Sequence, residues 1–120
     1  VVLRPLRFRP VFDKWSGQSC GGLQIHVVDA RQVRSVALTL VLLHEVRQQA
    51  GDQFCWLPPP YEYEFEKQPI DILLGSPAVR HALEAGAMGD HAAIDEHLRP
   101  GMDEWQAASR EFWLYAEGSP

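Results

Sequence analysis

Gly22-Leu23-Gln24-Ile25-His26-Val27-Val28-Asp29 runs almost directly into an apolar stretch from Arg31 to Ala50, and these two pieces together decide the fold. In the first, Leu23, Ile25 and Val27 alternate with Gln24, His26 and Val28, the period of two that marks a strand. In the second, Val33, Val36, Ala37, Leu40, Val41, Leu43 and Val46 leave little polar face between them. That pattern predicts a helix from about Arg31 to Ala50, capped by Asp29, closed by Gly51 and buried against a sheet. Leu40 and Leu43 are its predicted core residues.

Working outward, Leu6 to Phe12 reads as a second strand, with Leu6, Phe8 and Phe12 inward and Arg4, Arg7 and Arg9 outward. Pro5 and Pro10 place it at a sheet edge. Tyr61 to Glu66 alternates Tyr61, Tyr63 and Phe65 with Glu62, Glu64 and Glu66, the pattern of an exposed strand or extended segment. Ile70 to Leu74 predicts a single helical turn. Ser76-Pro77 starts a helix that Gly86 stops, with Ser as cap and Pro at the first helical position. Asp90 caps another helix, carrying Ile94 and Leu98; Pro100-Gly101 interrupts, and a last helix spans about Met102 to Phe112. The fold class is therefore α+β, or α/β-like: a small mixed sheet packed against several helices, one domain over residues 1–120.

Bulk properties narrow the function classes. At 120 residues with 46% hydrophobic and 22% charged residues, the chain matches one ordinary globular domain. A net charge of −5 argues against a nucleic-acid partner, which needs a basic surface to displace counterions from phosphates. No apolar run approaches the ~20 residues of a membrane span. The opening Val1-Val2-Leu3-Arg4-Pro5 has neither an initiator Met nor a leader, which predicts a piece of a longer protein. Cys20 and Cys55 permit one disulfide but have no metal-type spacing, and read as free, largely buried thiols.

Most chemical motifs fail on inspection. His44-Glu45-Val46-Arg47-Gln48 has Gln48 where a zinc helix needs its second His, so no metal site is expected. His81, His91 and His97 lack ligand spacing and read as surface helix residues. Glu62, Glu64 and Glu66 read as a solvated face, because nothing marks one of them as desolvated for acid catalysis. Ser16 is in no nucleophile elbow, and Cys20 and His26 share one strand and its loop, a poor geometry for a catalytic pair. No catalytic residue and no cofactor is assigned. What stands out is the glycine-rich segment from Asp13 to His26. There Lys14, Trp15, Gln18, Gln24 and His26 combine an aromatic platform with hydrogen-bonding groups, as carbohydrate sites do. These five are the candidate substrate-binding residues; the competing reading is a tight loop with a structural strand histidine.

Phe8-Arg9-Pro10, Lys14-Trp15-Ser16-Gly17 and Cys20-Gly21-Gly22-Leu23-Gln24-Ile25-His26-Val27 occur in that order. Pro59-Pro60-Tyr61-Glu62-Tyr63-Glu64-Phe65-Glu66, Pro69-Ile70-Asp71-Ile72-Leu73-Leu74-Gly75-Ser76, Glu84-Ala85-Gly86 and Arg110 to Tyr115 follow. This ordered set, covering roughly Leu6 to Tyr115, resembles the C-terminal part of the DUF1343 family of exo-β-N-acetylmuramidases. The resemblance implies a bacterial glycoside hydrolase, periplasmic or secreted, that removes terminal N-acetylmuramic acid from peptidoglycan fragments. It implies an upstream Rossmann-like catalytic domain in the same chain as partner, a muropeptide or amino-sugar substrate, and a fragment that is inactive alone but completes the cleft. A non-catalytic cell-wall-binding module and a purely structural support domain are the alternatives.

Overall fold

Residues 1–115 are described by a computed structural model; the side chain of His91 lies outside the described residues. Two strands, β1 (Val2–Phe8) and β2 (Cys20–His26), pair antiparallel, and five α-helices follow among the described residues: α1 (Ser35–Ala50), α2 (Pro69–Leu74), α3 (Pro77–Glu84), α4 (His91–Leu98) and α5 (Met102–Ser109). The class is α+β, with an antiparallel rather than mixed sheet. No described helix is long and apolar enough to cross a membrane. Contacts divide the chain into two compact units, Val1–Ser35 and the residues from Val36 onward.

In the first unit the strands begin earlier than their alternation suggests. Both strands of a two-stranded ladder are edges, so Pro5 fits inside β1 without removing a needed donor. The register pairs Val2 with His26, Arg4 with Gln24, Leu6 with Gly22 and Phe8 with Cys20 on one face; the other carries Leu3 with Ile25, Pro5 with Leu23 and Arg7 with Gly21. Leu6 and Phe8 therefore lie on the face of Gln24 and His26, not with Leu23 and Ile25, and Arg4 shares that face instead of pointing away from it. No residue of this unit is buried.

The predicted helix from Arg31 is divided in two. The Asp29 carboxylate accepts the Arg31 backbone N–H at 3.0 Å and the Gln32 amide at 2.8 Å, which caps only the 3-10 turn Ala30–Gln32. Val33 then turns extended, a conformation its β-branched side chain favours, and α1 starts afresh at Ser35. Ala37, Leu40 and His44 are its buried line, spaced three and four apart. Leu43 is only partly buried, and Val36 and Val46 are 51% and 55% exposed, so the helix is not buried all round.

The core of the second unit joins Ala37 and Leu40 of α1, Val79, Ala82 and Leu83 of α3, Met88, and Ile94 of α4. Local chemistry sets the ends of these helices. Ser76 Oγ accepts the Ala78 N–H at 3.1 Å, and Asp90 Oδ1 accepts that of Ala93 at 2.9 Å. Gly75 ends α2 and Gly86 follows α3, both at positive φ that glycine adopts without strain. Pro100-Gly101 separates α4 from α5, as the sequence suggests. The run Tyr61–Glu66, by contrast, is no strand. Tyr61 and Glu64 exchange backbone hydrogen bonds of 2.9 and 3.0 Å around a left-handed Glu62, forming a tight turn rather than a row of glutamates. Both cysteines are free, but Cys55 is exposed and Cys20 only half-buried, contrary to the expectation of buried thiols.

Candidate functional site

Residues 9–19 join the two strands, and three left-handed residues shape that loop: Asp13, Trp15 and Gly17, at φ 58°, 61° and 76°. The Gly17 N–H reaches back to the Pro10 carbonyl at 2.9 Å, Ser16 N–H donates to Asp13, and Gln18 N–H donates to Trp15. Gly17 takes its φ freely. A bulky residue such as Trp15 is strained there, by roughly 1–3 kcal/mol, a kind of strain that clusters at functional sites. The loop holds the Trp15 indole 66% exposed, with Lys14 and Gln18 exposed beside it in sequence.

Gln24 and His26 lie elsewhere. They share one face of β2, but His26 pairs with Val2 at the end of the ladder opposite the loop. Six residue steps of strand separate Cys20 from His26, roughly 20 Å at ~3.3 Å per residue. Phe8 lies between them, its ring over Gly22 so closely that a Cβ there would sit 2.8 Å from the ring edge. The structure thus groups Lys14, Trp15 and Gln18 in the loop and Gln24 with His26 on a strand face, without bringing the groups together. One sugar ring cannot reach both.

The second unit holds a polar network that sequence reading missed. Arg80 grips Asp71 with two hydrogen bonds, Nε–Oδ1 at 2.7 Å and Nη2–Oδ2 at 3.0 Å, and reaches Glu84 Oε1 with Nη1 at 3.0 Å. The Trp56 indole N–H donates to the same Glu84 oxygen at 2.9 Å, and Arg47 ties α1 to the Leu83 carbonyl at 3.0 Å. Of its contacts, only Arg80–Glu84, four apart on one helix, has a spacing from which it could have been found. Next to it, Glu64, Lys67, Asp71, Ile72, Ser76 and Pro77 line an open groove of about 480 Å³.

Asp71, Glu84 and Glu64 are all shifted toward ionisation. The Arg80 hydrogen bonds hold Asp71 below its ordinary value. Burial pushes Glu84 up, but the bonds from Arg80 and Trp56 outweigh it and leave it lowered. Backbone N–H groups of Glu66 and Lys67 lower Glu64. Such carboxylates accept hydrogen bonds well and are poor proton donors at neutral pH, the reverse of a glycosidase acid.

A pH dependence follows. Because folding lowers Asp71, its contribution to stability is complete above about pH 4, the ordinary aspartate value, and is lost as pH falls through the lower folded value. Thermal melts should therefore fall more steeply below about pH 4 for the unmodified chain than for Asp71→Asn. Parallel curves would show that the Arg80 pair contributes nothing.

Among the described residues no group of three or more His, Cys, Asp or Glu is placed to hold a metal ion. His44 is buried with Nδ1 unpartnered, and Glu45 beside it is exposed. His97 Nδ1 lies 2.8 Å from the Ala93 carbonyl, a local helix contact.

Residues 1–115 match the family model described as Exo-beta-N-acetylmuramidase NamZ, C-terminal. Neither the curated proteins nor the solved structures gave a match.

Proposed function

Because the chain belongs to the family of C-terminal domains of the exo-beta-N-acetylmuramidase NamZ, we propose that it forms one wall of the substrate cleft of a peptidoglycan glycosidase. The catalytic groups are then supplied by the domain that precedes it in the same protein. The family match runs through both compact units, which supports treating the chain as one domain. Membership of a family of cell-wall-processing enzymes supports a place in the periplasm or outside the cell.

The observation that carries the proposal is Trp15, an exposed indole fixed in a strained left-handed loop. An aromatic face stacks on the C–H face of a sugar ring, while the Lys14 ammonium and Gln18 amide serve carboxylate, hydroxyl and acetamido groups. Gln24 and His26, on their strand face, meet a more distant part of the same muropeptide. None of these residues transfers the proton. Their part is orientation, which in the extreme supplies on the order of 7–11 kcal/mol of the barrier.

In a protein that includes the preceding domain, Trp15→Ala is expected to lower kcat/KM by about tenfold or more, equivalent to ~1.4 kcal/mol. His26→Ala should lower it less, and neither should move the melting temperature much. Unchanged turnover in both variants would remove the cleft-wall reading. A fall in activity that tracks a fall in melting temperature would make the residues structural.

A further inference from the structure

Charge is unevenly placed along this chain. Residues 1–35 carry six Lys and Arg against two Asp, a net +4, while the whole chain is −5 and the remainder therefore −9. Neither β1 nor β2 contains an Asp or Glu, so the ladder itself offers no carboxylate to its two cations, Arg4 and Arg7. The register treats these two differently. Arg7 pairs with Gly21, on the apolar side that carries Leu3, Pro5, Leu23 and Ile25. Arg4 is the direct partner of Gln24, with His26 diagonal to it across the ladder, and all three residues are exposed. Direct partners on one face stand about 5 Å apart at Cβ and diagonal ones ~7–8 Å, within the reach of long side chains.

We infer that Arg4 binds a carboxylate of the substrate, with the Gln24 amide and the His26 imidazole beside it, an inference that rests on the cleft-wall reading. Arg4 then selects substrates that carry an acid over their neutral counterparts. N-acetylmuramic acid differs from N-acetylglucosamine by a lactyl ether that ends in a carboxyl group, and a stem peptide attached there ends in one as well. A guanidinium takes a carboxylate through two parallel hydrogen bonds, a geometry that a lysine ammonium lacks. A hydrogen-bonded ladder holds that fork more firmly than a loop does. Lys14, the rival cation, lies in the loop directly after Asp13, whose charge opposes its own. The basic field of the whole first unit draws an anion toward this face.

The test uses a protein that includes the preceding domain and three chromogenic N-acetylmuramides. One has the lactyl carboxyl free, one has it as the primary amide, and one has it joined to a short peptide ending in a carboxylate. Arg4→Met should raise KM and lower kcat/KM about tenfold or more on a carboxylate substrate, with little change on the amide. A loss on the first substrate assigns the lactyl carboxylate as the ligand; a loss on the third assigns the peptide's. Arg4→Lys should recover part of the loss, and Arg7→Met should leave all three rates as they were, with melting temperatures checking the fold of each variant. No change on either carboxylate substrate overturns the inference, and so does an equal loss on the amide. An equal effect of Arg7→Met also overturns it, because the net charge of the unit would then be the cause. If the preference for an acid moves with Lys14→Met and not with Arg4→Met, the carboxylate is read in the loop; this inference falls and the cleft reading stands. Loss of that preference in Arg4→Met, with normal turnover by Trp15→Ala and His26→Ala, does the reverse.

Discussion

The 120-residue chain alone is expected to leave a chromogenic N-acetylmuramide intact under conditions in which a protein carrying the preceding domain hydrolyses it. Glycosidic cleavage needs a proton donor at the leaving oxygen and a second group, or the substrate itself, on the other side of the ring. A donor carboxyl must keep its proton near neutral pH, which requires burial away from cations. Asp71 and Glu84 are gripped by Arg80, and Glu64 by two backbone N–H groups, and all three are lowered. Release of chromophore by the chain alone would place the chemistry here. Glu62, Glu64 and Glu66 would then be the first residues to replace.

The largest effect on stability is expected from Leu40→Ala. Leu40 is 0% exposed and sits, among the described residues, in a core of seven buried apolar residues with Leu83, Met88 and Ile94. Removing three carbons there loses transfer energy and leaves a cavity that α3 and α4, fixed by their caps, can only partly close. The loss should be ~2–5 kcal/mol, a large part of the ~5–15 kcal/mol that holds a typical domain. Val46→Ala on the exposed side of the same helix should stay within about ±0.5 kcal/mol. Urea unfolding followed by circular dichroism at helical wavelengths reads both. A Leu40→Ala loss as small as that of Val46→Ala would mean that α1 is not central to the core.

How much of this was legible in the sequence depended on range. Ser76-Pro77, Gly86, Asp90 and Pro100-Gly101 act on their own neighbours, and each did in the structure what its local chemistry suggests. Asp29 is a true cap as well, but its oxygens are satisfied within three residues, so a single turn forms where a long helix was expected. The rotation of α1 was not legible. A helix apolar on most sides carries no phase, and His44 rather than Leu43 joined the buried line. Strand faces failed likewise: alternation within β1 and within β2 says nothing about their mutual register, which put Leu6 opposite Gly22. Of the site, the loop residues Lys14, Trp15 and Gln18 could be grouped because they are adjacent in sequence. Asp71, Arg80, Glu84 and Trp56 could not, since Trp56 and Glu84 meet across 28 positions.

The indole of Trp56 has an optical consequence. Its N–H ends on Glu84, and Phe54 meets it edge-on with ring centroids 4.8 Å apart. Trp15, Trp105 and Trp113 are all substantially exposed, so iodide quenches their emission first and leaves Trp56 as the residual fluorophore. When Glu84 takes up a proton, the charge facing the indole disappears and the emission wavelength shifts. The protein therefore carries its own label-free indicator of the ionic state of the Arg80 network, readable at low pH without adding a dye.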